Sequence, residues 1–179
     1  EQVGANISVP KGYTTIDLKG KYIYPSLIDM FTSYGLPDVE RTRGRGFGGS
    51  EQIESNTKGA YNANQAIRSH YNAADEFTVN AKTADELRKV GFGAVLTSKP
   101  DGLARGTSAF VSLNEKNDNT ALIKAKVAAN YSLEKGSSTQ TYPISMMGYI
   151  ALLRQTYMDA EWFGSQNPRP FADNSLEAW

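Results

Sequence analysis

The sequence has 179 residues, of which 40% are apolar and 21% charged, and its 19 basic residues balance its 19 acidic ones. This composition is typical of a globular protein with one ordinary core, and the zero net charge gives no electrostatic reason to expect nucleic acid or an anionic membrane as a partner. No apolar run approaches the roughly 18 residues that span a bilayer, and the absence of cysteine excludes disulfides and thiolate metal sites from this sequence.

The N-terminal region predicts strands. Residues 13–18 and 22–24 are rich in β-branched and aromatic types and flank a Lys-Gly pair, which indicates a hairpin. The run from Leu27 to Phe31 is apolar except for Asp29, which predicts a buried parallel strand.

Residues 41–50 read Arg-Thr-Arg-Gly-Arg-Gly-Phe-Gly-Gly-Ser, which predicts a flexible solvated loop. The alternate arginines could instead bind phosphate or single-stranded RNA, but one such segment in a neutral chain is a weak signal. A short helix is predicted at 60–67 within a polar region. His70 is the sole histidine, so a His-rich zinc site is excluded, and we expect this side chain at the surface or the core edge.

A helix–strand unit follows. Thr83 and Glu86 have the spacing of a capping box, and Gly91 marks the end of a helix predicted at 84–90. The apolar segment 92–97 predicts a strand with a turn at 98–102 after it. In α/β folds the site lies at this carboxyl end of the strands.

The C-terminal half predicts two strands, a loop and a long helix. Residues 108–113 and the alternating segment 121–129 indicate an antiparallel pair, and 131–142 a loop. The helix begins at Thr141 as its cap and ends near residue 164, and its core-facing stripe is Met146, Ile150, Leu153 and Tyr157. Asn174-Ser175 predicts the cap of a last helix, and because only one turn follows, we expect a fragment of a longer protein.

Residues 16–35 read Ile-Asp-Leu-Lys-Gly-Lys-Tyr-Ile-Tyr-Pro-Ser-Leu-Ile-Asp-Met-Phe-Thr-Ser-Tyr-Gly. This stretch resembles the barrel entry of the amidohydrolase superfamily, roughly Asp-Leu-x-Gly-Lys-x-Val-x-Pro-Gly-Leu-Ile-Asp-x-His-x-His-x-Gly. Residues 86–96 and 102–109 and the long helix are similar, in the same order, to imidazolonepropionase-related members and to large secreted proteins of the Bacteroidetes type.

The resemblance implies an α/β fold: a partial amidohydrolase-type TIM barrel with the end of a small β-sandwich domain. Residues 1–26 would be the end of the β-sandwich and the lead-in strand, and 27–179 the first part of a truncated barrel. A complete barrel of this type needs about 250 residues. The resemblance also implies an extracytoplasmic location, periplasmic or secreted, and a partner that completes the barrel, which is either the remainder of the chain or a second chain.

The activity that the resemblance implies is metal-dependent hydrolysis of C–N bonds other than peptide bonds. The family's two histidines are metal ligands, and Phe31 and Ser33 stand at their positions here. We therefore expect no metal site and no identifiable catalytic residue in this fragment, and a divalent, zinc-like cofactor only in a full-length parent.

Three readings of the function follow. In the first, this region is a scaffold or binds substrate. In the second, the parent protein is a hydrolase with a rearranged site. In the third, the chain is a non-catalytic surface module that binds a ligand or carbohydrate. The last reading would gain from an exposed aromatic platform. Its members would be Tyr22, Tyr24, Tyr34 and Trp162, for which core or core-edge packing is the preferred interpretation.

A small-molecule pocket, if present, is predicted at the carboxyl ends of the strands. Thr32 and Ser33 offer hydroxyl groups, and Arg105 could clamp a carboxylate at two points. Lys99 and Thr107 complete the candidate substrate-binding set, and for each of these residues a surface-loop role is the alternative.

Overall fold

The computed structural model describes residues 4, 7–40, 54–114 and 116–179, and the arginine–glycine segment at 41–50 lies outside them. The strands in the described ranges are β1 (Leu27–Thr32), β2 (Phe92–Thr97), β3 (Ala104–Thr107), β4 (Ala109–Ser112), β5 (Leu122–Lys124) and β6 (Ala129–Tyr131). The helices there are α1 (Ala73–Glu76), α2 (Ala81–Lys89), α3 (Asp118–Ala121), α4 (Met146–Ser165) and α5 (Asn174–Glu177). The predicted α/β class is confirmed.

The main sheet has the strand order β1-β2-β4-β5, and a second sheet pairs β3 with β6. β1, predicted as a parallel strand, is parallel to β2, whereas the other pairs are antiparallel. The bounds predicted for β2 are confirmed. The strand predicted at 121–129 is instead divided, because α3 ends at Ala121 and the chain then contributes β5 to one sheet and β6 to the other.

The first core lies between the main sheet and α2. Val95 of β2 and Val111 of β4 are partners in register and are both fully buried, and Ala84 presents the packed face of α2. The predicted capping box is wrong: Asn80 caps α2, and its side chain accepts a hydrogen bond from the backbone N–H of Thr83 at 3.1 Å. Asn80 stands directly before the first residue of α2, so Thr83 lies inside the first turn.

A second core holds α4. Its buried members are Ala66, Ile67, Leu103, Ala104 and Leu152. α4 begins after Ser145, whose hydroxyl accepts from the N–H of Gly148, and so Thr141 is not its cap.

Of the apolar stripe predicted for α4, Leu153 packs against the second core, whereas the prediction is wrong for Met146, Ile150 and Tyr157, which are exposed. The buried residues of α4 are Leu152, Thr156 and Phe163, whereas Tyr157 is 63% exposed. The apolar residues of α4 lie on all of its faces, so their spacing in the sequence could not identify the face that packs on the core. None of the helices in the described part of the chain has both the length and the apolar character needed to cross a bilayer.

The N-terminal segment departs from the prediction. A turn at Lys19-Gly20 is present, with the N–H of Lys21 donating to the carbonyl of Leu18 at 2.8 Å, but residues 7–26 contain no strand. β1 is an edge strand and is not buried. Its exposed apolar side chains are Leu27, Ile28, Met30 and Phe31, with exposures between 50% and 71%.

The region 54–72 has no helix at 60–67, contrary to the prediction. Asn64 explains this locally, because its side-chain oxygen accepts from the N–H of Ala66 and so competes with helical bonding. The fully buried Gln140 then binds the segment: its amide nitrogen donates to the carbonyls of Ala63 and Glu54 at 2.8 and 2.9 Å, and its oxygen accepts from the N–H of Gln65 at 2.7 Å.

The last helix begins at Asn174, two residues before Leu176, where the predicted cap would start it. Asp173 caps α5, and its carboxylate accepts from the N–H groups of Ser175 and Leu176 at 2.8 and 3.0 Å.

Candidate functional site

The carboxyl ends of the two parallel strands lie side by side. Thr32 pairs with Thr97, and the N–H of Ser98 donates to the carbonyl of Thr32 at 2.8 Å. This arrangement brings Thr32, Ser33, Ser98 and Lys99 to one edge of the sheet, where α/β folds carry their sites.

The two hydroxyl residues of β1 differ in their contacts. The Thr32 hydroxyl accepts a hydrogen bond from the N–H of Tyr34 at 3.2 Å, and the carbonyl of Tyr34 accepts from the Thr97 hydroxyl at 2.7 Å. These bonds shape the turn after β1. Ser33 is exposed.

Lys99 has a protein partner. Its Nζ lies 2.7 Å from Oε2 of Glu76 and 4.7 Å from the centroid of the Tyr71 ring, and the Tyr71 hydroxyl donates to the same carboxylate oxygen at 3.1 Å. Burial, and then the Glu76 carboxylate, raises the pKa of Tyr71. The Glu76 carboxylate therefore already offsets the charge of Lys99, and a ligand anion would have to compete with it.

Arg105 is 5% exposed and is held from within the protein. Its Nε donates to the carbonyl of Gly102 at 3.2 Å, and its Nη2 lies 3.5 Å from Oε2 of the half-exposed Glu134. The buried guanidinium thus already has a carboxylate partner within the chain, and the two-point clamp on a ligand carboxylate stays a prediction.

Thr107 joins β3 to the region before α1. Its hydroxyl donates to Oδ1 of Asn72 at 3.2 Å, and its N–H donates to the carbonyl of Tyr71 at 2.9 Å. Gly106 permits this approach, because a Cβ at that position, where φ is +75°, would stand 2.0 Å from the Tyr71 carbonyl oxygen. The contacts of Thr107 are therefore structural.

A cleft of about 420 Å³ opens beside the end of β1, and we call it the Phe31 cleft. Its lining residues are Phe31, Pro100, Arg105, Tyr131, Ser132, Leu133 and Glu134. The structure thus brings Phe31 and Arg105 together, whereas Lys99 and Thr107 do not line this cleft.

Sequence reasoning missed Tyr131, Leu133 and Glu134. They reach the cleft because β6 pairs with β3, which sets Tyr131 opposite Ala104. The composition of 131–142 indicated only a loop, and no local signal shows which distant strand such a segment adjoins.

The side chains of Phe31 and Ser33, which the sequence resemblance aligns with metal ligands, do not fit a divalent cation. A phenyl ring at Phe31 has no donor atom, and the neutral hydroxyl of Ser33 is a poor ligand. Among the described residues, no group of three or more His, Cys, Asp or Glu side chains could hold a metal ion.

His70 lies elsewhere, at the edge of the core. Its Nδ1 is 3.0 Å from Oγ of Ser175, and its ring stacks at a centroid distance of 4.2 Å on Tyr61. Burial, followed by the positive charge of Arg68, lowers the pKa of His70, and Asp173 opposes that shift. This position agrees with the core-edge prediction.

The four aromatic residues considered as a platform are separated in the fold. Tyr34 is 5% exposed and packs on Phe77, so the core interpretation holds for it. Tyr22 and Tyr24 are 87% and 78% exposed, contrary to that interpretation, and Trp162 packs on Phe171.

No family model matches the chain, and no curated protein is similar to it in sequence. Among solved structures, it is similar to the crystal structure of an amidohydrolase from Thermotoga maritima MSB8, with a TM-score of 0.65 and 19% identity. The match covers 99% of this chain and 47% of that one, so the chain spans about half the length of the solved structure. At this identity the likeness is one of fold.

Proposed function

We propose that this chain supplies the first part of an amidohydrolase-type barrel and binds a small-molecule ligand there without providing a metal centre. One observation carries the proposal: Phe31, at the first family ligand position, lines the same cleft as Arg105 and Glu134 at the end of β1. The cleft lies where such a fold binds substrate, but its wall offers a phenyl ring in place of an imidazole.

The lining of the Phe31 cleft suits a ligand with an apolar body. Phe31 is 68% exposed, and Pro100 and Leu133 extend the apolar wall. The half-exposed Glu134 carboxylate and the buried Arg105 guanidinium provide hydrogen-bonding groups at one place on that wall. A few polar groups on a mainly apolar wall are typical of small-molecule sites, where they orient the ligand.

The proposal includes a partner that covers β1. A strand of the remaining polypeptide, or of a second chain, would pair with the free edge of β1 and cover its apolar side chains. The residues for hydrolysis of C–N bonds, any divalent metal and the extracytoplasmic location would belong to that complete protein.

Elemental analysis tests the proposal directly. Divalent metal is measured in the 179-residue chain and in the natural polypeptide that contains it, after both are loaded with zinc and dialysed. We expect metal in the longer polypeptide alone. Stoichiometric metal in the 179-residue chain would contradict a metal-free role, and metal in neither protein would contradict the hydrolase part and leave a binding domain.

A further inference from the structure

A second cleft, of about 390 Å³, opens on the side of α4. We call it the Trp179 cleft, and its lining residues are Tyr131, Leu153, Arg154, Tyr157 and Trp179. Tyr131 also lines the Phe31 cleft, whereas the other four residues do not. Its volume lies within the range of small-molecule sites, about 300 to 1,000 Å³.

Aromatic rings form most of the wall. The Trp179 ring lies 5.5 Å from the Tyr131 ring and 5.8 Å from the Tyr157 ring, the latter in an edge-on arrangement. Tyr131 and Tyr157 are 52% and 63% exposed. The indole nitrogen of Trp179 is buried and has no hydrogen-bond partner among the described residues. Because this nitrogen is buried, a ligand in the cleft would contact the faces and edges of the aromatic rings.

Arg154 is the polar group on this wall. The other arginines in the described part of the chain, Arg68, Arg88, Arg105 and Arg169, each have a carboxylate partner. Arg154 is exposed and has neither an ion pair nor a hydrogen bond within the described residues.

No acidic side chain lines the Trp179 cleft, although Glu161 lines a second cleft of about 270 Å³ that shares Tyr157 and Trp179 with it. The charged side chain on the wall of the Trp179 cleft is therefore the unpaired Arg154 guanidinium. This favours an anion over a cation or a neutral ligand.

We propose that the Trp179 cleft binds a small aromatic carboxylate. The aromatic ring of the ligand packs on Trp179 and Tyr157, and its carboxylate receives two parallel N–H bonds from Arg154, the geometry that guanidinium and carboxylate favour. This inference does not rest on the proposed function, because Arg154, Tyr157 and Trp179 are not part of the Phe31 cleft.

The test uses Trp179 as the reporter. The chain has two tryptophans, and Trp162→Phe leaves Trp179 as the sole indole fluorophore. This protein is titrated with 4-nitrobenzoate, a quencher, and with the isosteric 4-nitrobenzamide, which has no charge. We expect saturable quenching by the carboxylate and an affinity for the amide that is about tenfold lower, as loss of a charged hydrogen bond implies.

A second variant separates the guanidinium from general charge effects. Arg154→Gln in the Trp162→Phe background should lower the affinity for 4-nitrobenzoate about tenfold, because it removes the charged donor. The matched control Arg169→Gln removes an arginine that pairs with Glu177 and does not line the cleft, and it should leave the affinity unchanged. Quenching that is not saturable, equal affinity for the two probes, or an unchanged affinity in Arg154→Gln would each overturn the proposal.

Discussion

The Nδ1 atom of His70 lies 3.0 Å from the hydroxyl oxygen of Ser175, a residue 105 positions later in the chain. The same hydroxyl accepts a hydrogen bond from the N–H of Asn62 at 3.2 Å, and the carbonyl of Ser175 accepts one from the Ser69 hydroxyl. Ser175 is fully buried, so these contacts join α5 to the irregular region before α1.

This contact predicts a pH dependence of stability. Burial lowers the pKa of His70 below its ordinary value of 6.5, so the folded chain binds fewer protons than the unfolded chain as the pH falls through that value. The contribution of His70 to stability is therefore present above about pH 6.5 and is lost as the pH falls from there toward the folded pKa. Arg68 strengthens this trend and Asp173 opposes it.

Urea denaturation between about pH 5.5 and 7.5, above the range where carboxylates titrate, measures the effect. The free energy of unfolding should rise with pH in the native chain and rise less in His70→Gln. As His70 is the sole histidine, the difference between the two curves reports this residue alone. Parallel curves would show that His70 has the same pKa in both states.

A pair of substitutions distinguishes the observed cap of α2 from the cap that the sequence suggested. Asn80→Ala removes the acceptor for the N–H of Thr83 and should lower the free energy of unfolding by about 1 kcal/mol. Thr83→Ala, inside the first turn, should change it by less than about 0.5 kcal/mol. Chemical denaturation of both variants measures the difference, and the reverse order would place the cap at Thr83.

Introducing histidines at positions 31 and 33, where the resemblance to the amidohydrolase superfamily would place them, should not create a metal site. In the double variant Phe31→His, Ser33→His, two imidazoles stand at the end of β1, but no group of three or more His, Cys, Asp or Glu side chains exists among the described residues of the native chain from which a full coordination sphere could be built. Zinc bound after equilibrium dialysis should stay well below one equivalent, as in the native chain. His70→Ala in the same background controls for adventitious binding to the natural imidazole. Tight binding of one zinc per chain would mean that ligands exist which the structure does not bring together.

The exposed edge strand should make the isolated chain self-associate. Met30 is 71% exposed on β1, so Met30→Glu should not destabilise the fold but should oppose edge-to-edge pairing. Light scattering with size-exclusion chromatography should show a smaller apparent mass for this variant at high concentration. Met147→Glu, at a site on α4 that is 82% exposed, is the control for exposed apolar surface in general. An equal effect of both variants would mean that the edge of β1 is not the cause.

Sequence reasoning succeeded where a local pattern has one consequence. The bounds of β2 were predicted correctly because a short, continuous apolar run after Gly91 is typical of a strand that packs against other elements on both faces of its sheet. β1 was also predicted as a parallel strand, although its pairing with β2 was not. The positions of Thr32 and Ser98 at a common edge follow from this pairing.

The failures share a different cause. Leu27 to Phe31 is as apolar as a buried strand, but its burial depends on which polypeptide lies beside it, and the described residues do not cover it. The face of α4 that packs was likewise decided by Ile67 and Leu103, which are distant in sequence. Glu134 lines the Phe31 cleft because β6 pairs with β3, and this pairing joins segments that are distant in sequence.

The contacts of Gln140 affect when residues 54–66 can fold during synthesis of the chain. Its side chain binds backbone groups 75 to 86 residues nearer the N-terminus, and those groups belong to a segment without a helix or a strand. While the ribosome is still translating residues before 140, that segment lacks the side chain that holds these backbone groups in the folded chain, and the groups bind water instead. The region from 54 to 66 should therefore stay open to chaperones until the last quarter of the chain emerges, and a nascent chain stalled before Gln140 should be cut by protease within it.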